Sequence, residues 1–216
     1  MLKVKVCGMT NPANVKEVAE AGPDFMGFIF YPRSPWYVGQ DPNPELFNNV
    51  PAGILKVGVF VNEDPVTVIE IAAMNGLDLV QLHGTETPDY CESLKLSGVK
   101  IIKAFGICDY TDFDIYGSYI DVCDYFLFDT RNEKYGGSGE KFNWEIVAAY
   151  KLDKPFFVSG GIGPDDAMQL KGIQNEKLMA VDVNIRFETA TGIKDALALK
   201  SFIQEIQNMN IRHHEK

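Results

Sequence analysis

The chain has 216 residues, of which 46% are hydrophobic and 23% charged, with a formal net charge of −10; this is an ordinary globular make-up and excludes disordered, collagen-like and coiled-coil classes. So acidic a protein is not expected to bind nucleic acid, and any phosphate it holds must be gripped by local backbone dipoles and a few placed cations. No apolar run reaches the length of a membrane span, and the N-terminal run carries Lys3 and Lys5 where a signal peptide would be purely apolar, so a cytoplasmic protein without membrane contact is expected.

In chain order, β-type runs fall at 4–7, 25–30, 56–61, 79–82, 101–105, 125–129, 156–159 and 180–183. Most are continuously apolar, the pattern of strands buried on both faces of a parallel sheet. Stretches of helical period lie between them, such as Val15, Val18 and Ala19, then Val66, Ile69 and Ile71. Asn11-Pro12, Asp64-Pro65, Thr87-Pro88 and Gly163-Pro164 each place a capping residue before a proline suited to the first helical turn. The fifth helical stretch, 109–119, is short and polar, and a closing helix is expected over 193–206 with Ile193, Leu197, Leu199, Phe202, Ile203 and Ile206 on its apolar side. Eight strand and helix units at a mean spacing of roughly 25 residues predict an α/β fold, a single (β/α)8 TIM barrel. One domain should cover residues 1–216, with a frayed polar tail after Asn208.

In such a barrel the chemistry gathers at the C-terminal ends of the strands. The first strand delivers Cys7 there and the sixth delivers Asp129, which follows an apolar run that would raise its carboxyl pKa. Taken alone, Cys7 reads as a buried structural thiol and Asp129 as a helix cap. Ser159, Gly160 and Gly161 after the seventh strand, with Asn184, Ile185 and Arg186 after the eighth, occupy the usual phosphate position of this fold. Gln81, His83 and Asp182 also stand at strand ends and are expected to touch a ligand. The glycine-rich segment 135–139 reads as a mobile flap. Four cysteines and three histidines show no metal-ligand spacing, so reduced thiols and no metal are expected. A thiol and a carboxylate facing one cavity beside a phosphate grip suit proton transfers within a bound sugar phosphate.

Lys5-Val6-Cys7-Gly8-Met9-Thr10, Val57-Gly58-Val59-Phe60-Val61-Asn62, Val80-Gln81-Leu82-His83-Gly84, Phe128-Asp129-Thr130 with Gly136-Gly137-Ser138-Gly139, and Ser159-Gly160-Gly161 together resemble the phosphoribosylanthranilate isomerase family of tryptophan biosynthesis. The resemblance implies a cofactor-free Amadori rearrangement of a phosphorylated aminosugar, aminoaldose to aminoketose. It implies Cys7 as the general base at C2 of the ribose and Asp129 as the general acid at the ring oxygen. A monomer or weak homodimer is expected. Two positions depart from the family pattern. Trp36 stands where the family has an arginine that meets the anthranilate carboxylate, and Asn184-Ile185-Arg186 replaces a small serine and glycine run. Arg33, three residues before Trp36, is the candidate to take over the carboxylate, with Trp36 stacking on the aryl ring. The competing readings are a phosphosugar-binding barrel that has lost catalysis and another phosphosugar isomerase or epimerase on the same scaffold.

Overall fold

The computed structural model describes residues 1–108, 112–130 and 141–208. Eight parallel strands, β1 (Lys3–Val6), β2 (Phe25–Ile29), β3 (Leu55–Phe60), β4 (Leu79–Leu82), β5 (Ile101–Ile107), β6 (Tyr125–Thr130), β7 (Phe156–Val158) and β8 (Leu178–Val183), pair in sequence order. The barrel closes where β1 runs beside β8, with Lys5 opposite Asp182 and Val6 opposite Val183.

Six α-helices accompany the strands: α1 (Pro12–Glu20), α2 (Glu45–Asn48), α3 (Pro65–Asn75), α4 (Pro88–Leu96), α5 (Ala167–Lys171) and α6 (Ala196–Asn208). The expected caps are in place. Asn11 accepts from the amides of Ala13 and Asn14, Asp64 from Val66 and Thr67, and Thr87 from Tyr90, each ahead of a proline that has no amide to lose. Gly163 likewise precedes the short 3-10 helix Pro164–Asp166 that leads into α5. Among the described residues the fifth and sixth crossovers hold 3-10 turns, Phe113–Tyr119 and Trp144–Ala149. Among the described residues no helix is long and apolar enough to cross a membrane.

Side chains alternate across each strand, so every second residue enters the barrel. Phe25, Val57, Leu79, Ile102, Leu127, Phe157 and Ala180 fill its lower interior. The opposite faces pack against the helices, where Phe28, Phe60, Phe126, Phe128 and Phe156 are fully covered. One pleat higher the interior changes character, to Cys7, Ile29 and Val59 with Trp36 lying over them.

The closing helix begins later than its apolar pattern suggests. Ile193–Lys194 forms a strand, β10, that pairs antiparallel with β9 (Glu188–Ala190), and α6 starts after Asp195, whose carboxylate caps the amides of Leu197 and Ala198. Leu199, Phe202, Ile203 and Ile206 form the buried face, while Leu197 points to solvent. A two-residue strand is shorter than any hydrophobic period can register. The segment 135–139 and the tail after Asn208 lie outside the described residues.

Candidate active site

The C-terminal ends of seven strands, all but β5, line one cleft. Cys7, Trp36, Gln81, His83, Asp129, Ser159, Gly160, Gly161, Asp182, Asn184, Ile185 and Arg186 all line it. Of the residues expected there, only Arg33 does not. It occupies the turn in which the Ser34 amide donates to the Tyr31 carbonyl at 2.9 Å, and it is exposed. The next turn sends Trp36 inward instead, 6% exposed, with its indole Nε1 donating to Glu188 Oε1 at 2.8 Å. The indole and the side chains of Tyr31, Ile29, Val59 and Ile185 make one end of the cleft apolar.

Cys7 follows the last residue of β1, and its amide continues the ladder by donating to the Val183 carbonyl at 2.8 Å. Its sulfur lies against β2 at Gly27, where an added Cβ would stand 2.7 Å from Sγ and 3.1 Å from the Cys7 Cα. The second contact is backbone, so the crowding cannot be relieved by a rotamer change. Gly27→Ala is therefore expected to displace the thiol and to destabilise the fold by about 1–3 kcal/mol. Thermal unfolding together with alkylation of Cys7 checks this; an unchanged melting temperature and an unchanged alkylation rate would show that the strands part freely there.

The surroundings of Cys7 are ionic. The Lys5 Nζ, wholly buried, donates to Asp182 Oδ2 at 2.7 Å. Burial pushes the Cys7 thiol above its ordinary value, and the Lys5 ammonium opposes that push. Burial also raises the Asp182 carboxyl, against the pull of Lys5. Glu188 Oε1 pairs with Lys194 Nζ at 2.5 Å, and that ammonium also reaches Asn184 Oδ1. Burial holds the Lys194 ammonium below its ordinary value, with Glu188 pulling the other way.

Asp129 stands across the cleft in polar company, contrary to the apolar walls expected from its strand. The inward period of the strands places hydrogen-bonding side chains beside it, while the phenylalanines before it face the helices. Its Oδ1 accepts from the Thr130 amide at 2.8 Å, and its Oδ2 lies 3.4 Å from His83 Nε2. The other ring nitrogen, Nδ1, is 2.8 Å from Gln81 Nε2.

Two buried acceptors, Gln81 Oε1 and Asp182 Oδ1, have no hydrogen-bond partner among the described residues. A buried polar atom left unpaired is costly, so acceptors of this kind suit a ligand that brings hydroxyl donors. After β7, Gly160 and Gly161 take positive φ angles of 90° and 63°. A Cβ on Gly160 would lie 2.3 Å from Thr130 Oγ1, and the Gly160 carbonyl is held by Trp144 Nε1 at 3.2 Å. The amides of Gly160, Gly161, Ile162 and Ile185 find no acceptor among the described residues. Such a cluster of free amides beside Arg186 suits an anion.

Sequence reasoning did not single out Lys5, Glu188 or Lys194 as parts of this site. For Lys5 a signal was present, a lysine on the inward period of a strand that ends in a cysteine. Glu188 and Lys194 come from the β9–β10 hairpin, which had no such signal.

Comparison with known proteins agrees with this architecture. The model of a family described as N-(5'phosphoribosyl)anthranilate (PRA) isomerase matches residues 4–205. An N-(5'-phosphoribosyl)anthranilate isomerase of Phocaeicola vulgatus is 43% identical over 204 residues, covering 94% of this chain and 97% of the relative. The crystal structure of phosphoribosyl anthranilate isomerase from Thermotoga maritima superposes with a TM-score of 0.83 at 32% identity, covering 96% of this chain and all (100%) of that one. A phosphoribosyl anthranilate isomerase solved with reduced 1-(o-carboxyphenylamino)-1-deoxyribulose 5-phosphate gives a TM-score of 0.80 at 30% identity, over 96% of this chain and 100% of its own. Since both the family model and a relative matching at nearly full length carry the same description, and the barrel superposes on their solved structures, the chain belongs to the N-(5'-phosphoribosyl)anthranilate isomerase family.

Proposed function

We propose that the cleft converts N-(5'-phosphoribosyl)anthranilate to 1-(o-carboxyphenylamino)-1-deoxyribulose 5-phosphate in tryptophan biosynthesis, with Cys7 as base and Asp129 as acid, in the cytoplasm. The observation that carries this reading is the set of groups turned into one cleft: a thiol and a carboxylate, unpaired acceptors for sugar hydroxyls, and free amides for a phosphate. The acid, Asp129, gives its proton to the furanose oxygen as the C1–O bond breaks, leaving an iminium between C1 and the aryl nitrogen. The Cys7 thiolate then takes the proton from C2, and the electron pair flows to the iminium to give an enolamine. Loss of the C2 hydroxyl proton and protonation at C1 complete the ketone. Protons move, and no electrons leave the substrate, so the step needs no redox partner. Gly160, Gly161, Ile185 and Arg186 hold the phosphate, which fixes the sugar between acid and base at little cost in reorganisation. A supporting role follows for His83, whose Nε2 lies 3.4 Å from Asp129 Oδ2 and keeps that side chain in line.

The aryl group then lies at the apolar end, on the Trp36 indole. Among the described lining residues the one lysine or arginine is Arg186, at the phosphate side. A hydrogen bond to a charged group contributes about 1.5–3 kcal/mol, or roughly 10- to 150-fold in binding. Trp36→Arg is thus expected to lower KM for the carboxylated substrate by about tenfold, the low end of that range, because the new guanidinium also has Glu188 to pair with. Exposed Arg33 should tolerate alanine with KM changed by less than about twofold. Steady-state kinetics on both variants is the check. A sharp rise in KM for Arg33→Ala would mean that this arginine swings into the cleft and meets the carboxylate.

A further inference from the structure

Lys5 has no part in the proton transfers described above, yet it is a wholly buried cation near them. Its side chain is 0% exposed, and it stands two residues before Cys7. Strand alternation turns both side chains to the barrel interior, with Lys5 one pleat below the sulfur. A lysine costs a great deal to bury, and a single carboxylate returns that cost only when the geometry is good. The partner here, Asp182, takes the ammonium on one oxygen and leaves the other unpaired toward the cleft.

From this placement we infer that Lys5 is a positioning residue for the base: its buried ammonium, beneath Cys7 and braced from behind by Asp182, eases ionisation of the sulfur in a cavity that opposes it. The inference rests on the reading of Cys7 as the base. Among the described residues the ionisable groups near the sulfur are few, and Tyr31 and Arg186 line the same cleft. From β1 comes Lys5, and from β8 comes Asp182, which opposes it. Lys194 of β10 adds a second cation, already committed to Glu188 of β9. Asp129 of β6 and His83 at the end of β4 lie across the cleft. The facing strand β2 offers only Gly27 and Ile29. Of these groups Lys5 acts most strongly on the thiol, and in the direction of the anion, while the sulfur in turn helps to keep the buried ammonium charged.

The test is Lys5→Gln, whose amide keeps a hydrogen bond to Asp182 and removes the charge. Alkylation of Cys7 by iodoacetamide is followed across pH by the mass of its peptide, with exposed Cys108 as the reference in the same tube. Alkylation of Cys7 at neutral pH should slow by about tenfold or more, one unit being the low end for an opposite charge in contact. The pH at which alkylation of Cys7 reaches half its limiting rate should move up by the same amount, which a merely structural role would not produce. If Lys5→Gln fails to fold, Lys5→Met with Asp182→Asn leaves no lone buried charge and is read by alkylation alone, with slowing again expected. Unchanged alkylation in either folded variant overturns the inference, as does failure of both variants to fold, which would make Lys5 a structural ion-pair member. The readout needs no turnover. Activity retained by Cys7→Ser would therefore remove the base from the proposed function without touching the alkylation result.

Discussion

Cys7→Ser and Asp129→Asn are each expected to lower turnover by at least about 10², the lower range for a positioned acid or base, with the fold intact. Both side chains line the cleft at the ends of strands whose ladders do not depend on them. The pH dependence distinguishes the two roles. Burial places the Cys7 thiol above its ordinary value, so at neutral pH the thiolate is the minor form. Its fraction grows tenfold per pH unit until the pH passes the thiol's own value. Alkylation of Cys7 should accordingly climb from neutral into the alkaline range, and Asp129→Asn should keep that climb, whereas Cys7→Ser leaves no group at that position to label. A folded Cys7→Ser enzyme with near-normal turnover would remove Cys7 from the mechanism.

Lys103→Met should give the largest loss of stability. Lys103 Nζ on β5 donates to Glu86 Oε2 at 3.0 Å and to the carbonyls of Leu82, Gly84 and Ala104, and both ionic side chains are almost wholly buried, at 2% and 1% exposure. Glu86 in turn accepts from the amides of Asn62 and Gly84. The knot ties the loops after β3 and β4 together and anchors the residue that follows His83. Removing the cation leaves a buried carboxylate without its counter-charge, a loss of about 3–5 kcal/mol. For a protein of this size that is a fall in Tm of roughly 6–20 °C. Adding Glu86→Gln keeps an acceptor for the two amides and removes the stranded charge, so part of the loss should return. A Tm within a few degrees of wild type for Lys103→Met would show that the pair is not what holds these loops.

The barrel was legible because its strands are buried on both faces and read as plain apolar runs, and because four helix starts announce themselves as a cap followed by proline. The strand ends then placed Cys7, Gln81, His83, Asp129, Ser159 and Asp182 at one cleft, since a parallel barrel brings all such ends together whatever their separation in sequence. Pairing was not legible. Lys5 and Asp182 are 177 positions apart, and nothing in either neighbourhood says that they share a bond. The same holds for Trp36 and Glu188, which explains why Arg33 seemed the natural group to face the cleft. A turn between the two decides which side chain enters, and that decision depends on an indole finding an acceptor in a hairpin 152 positions away. The environment of Asp129 was misjudged for a related reason. The phenylalanines that precede it contribute to the outer core, so the apolar run described the other face of the strand.

The most direct measurement is of product itself. Freshly made N-(5'-phosphoribosyl)anthranilate is mixed with a small molar fraction of the purified chain, and aminoaldose and aminoketose are separated chromatographically over time. Many turnovers per molecule to the aminoketose are expected with no added metal or cofactor, lost together with either Cys7 or Asp129. Tight binding of the substrate with no aminoketose above the uncatalysed rate would contradict it and leave a phosphosugar-binding barrel in its place.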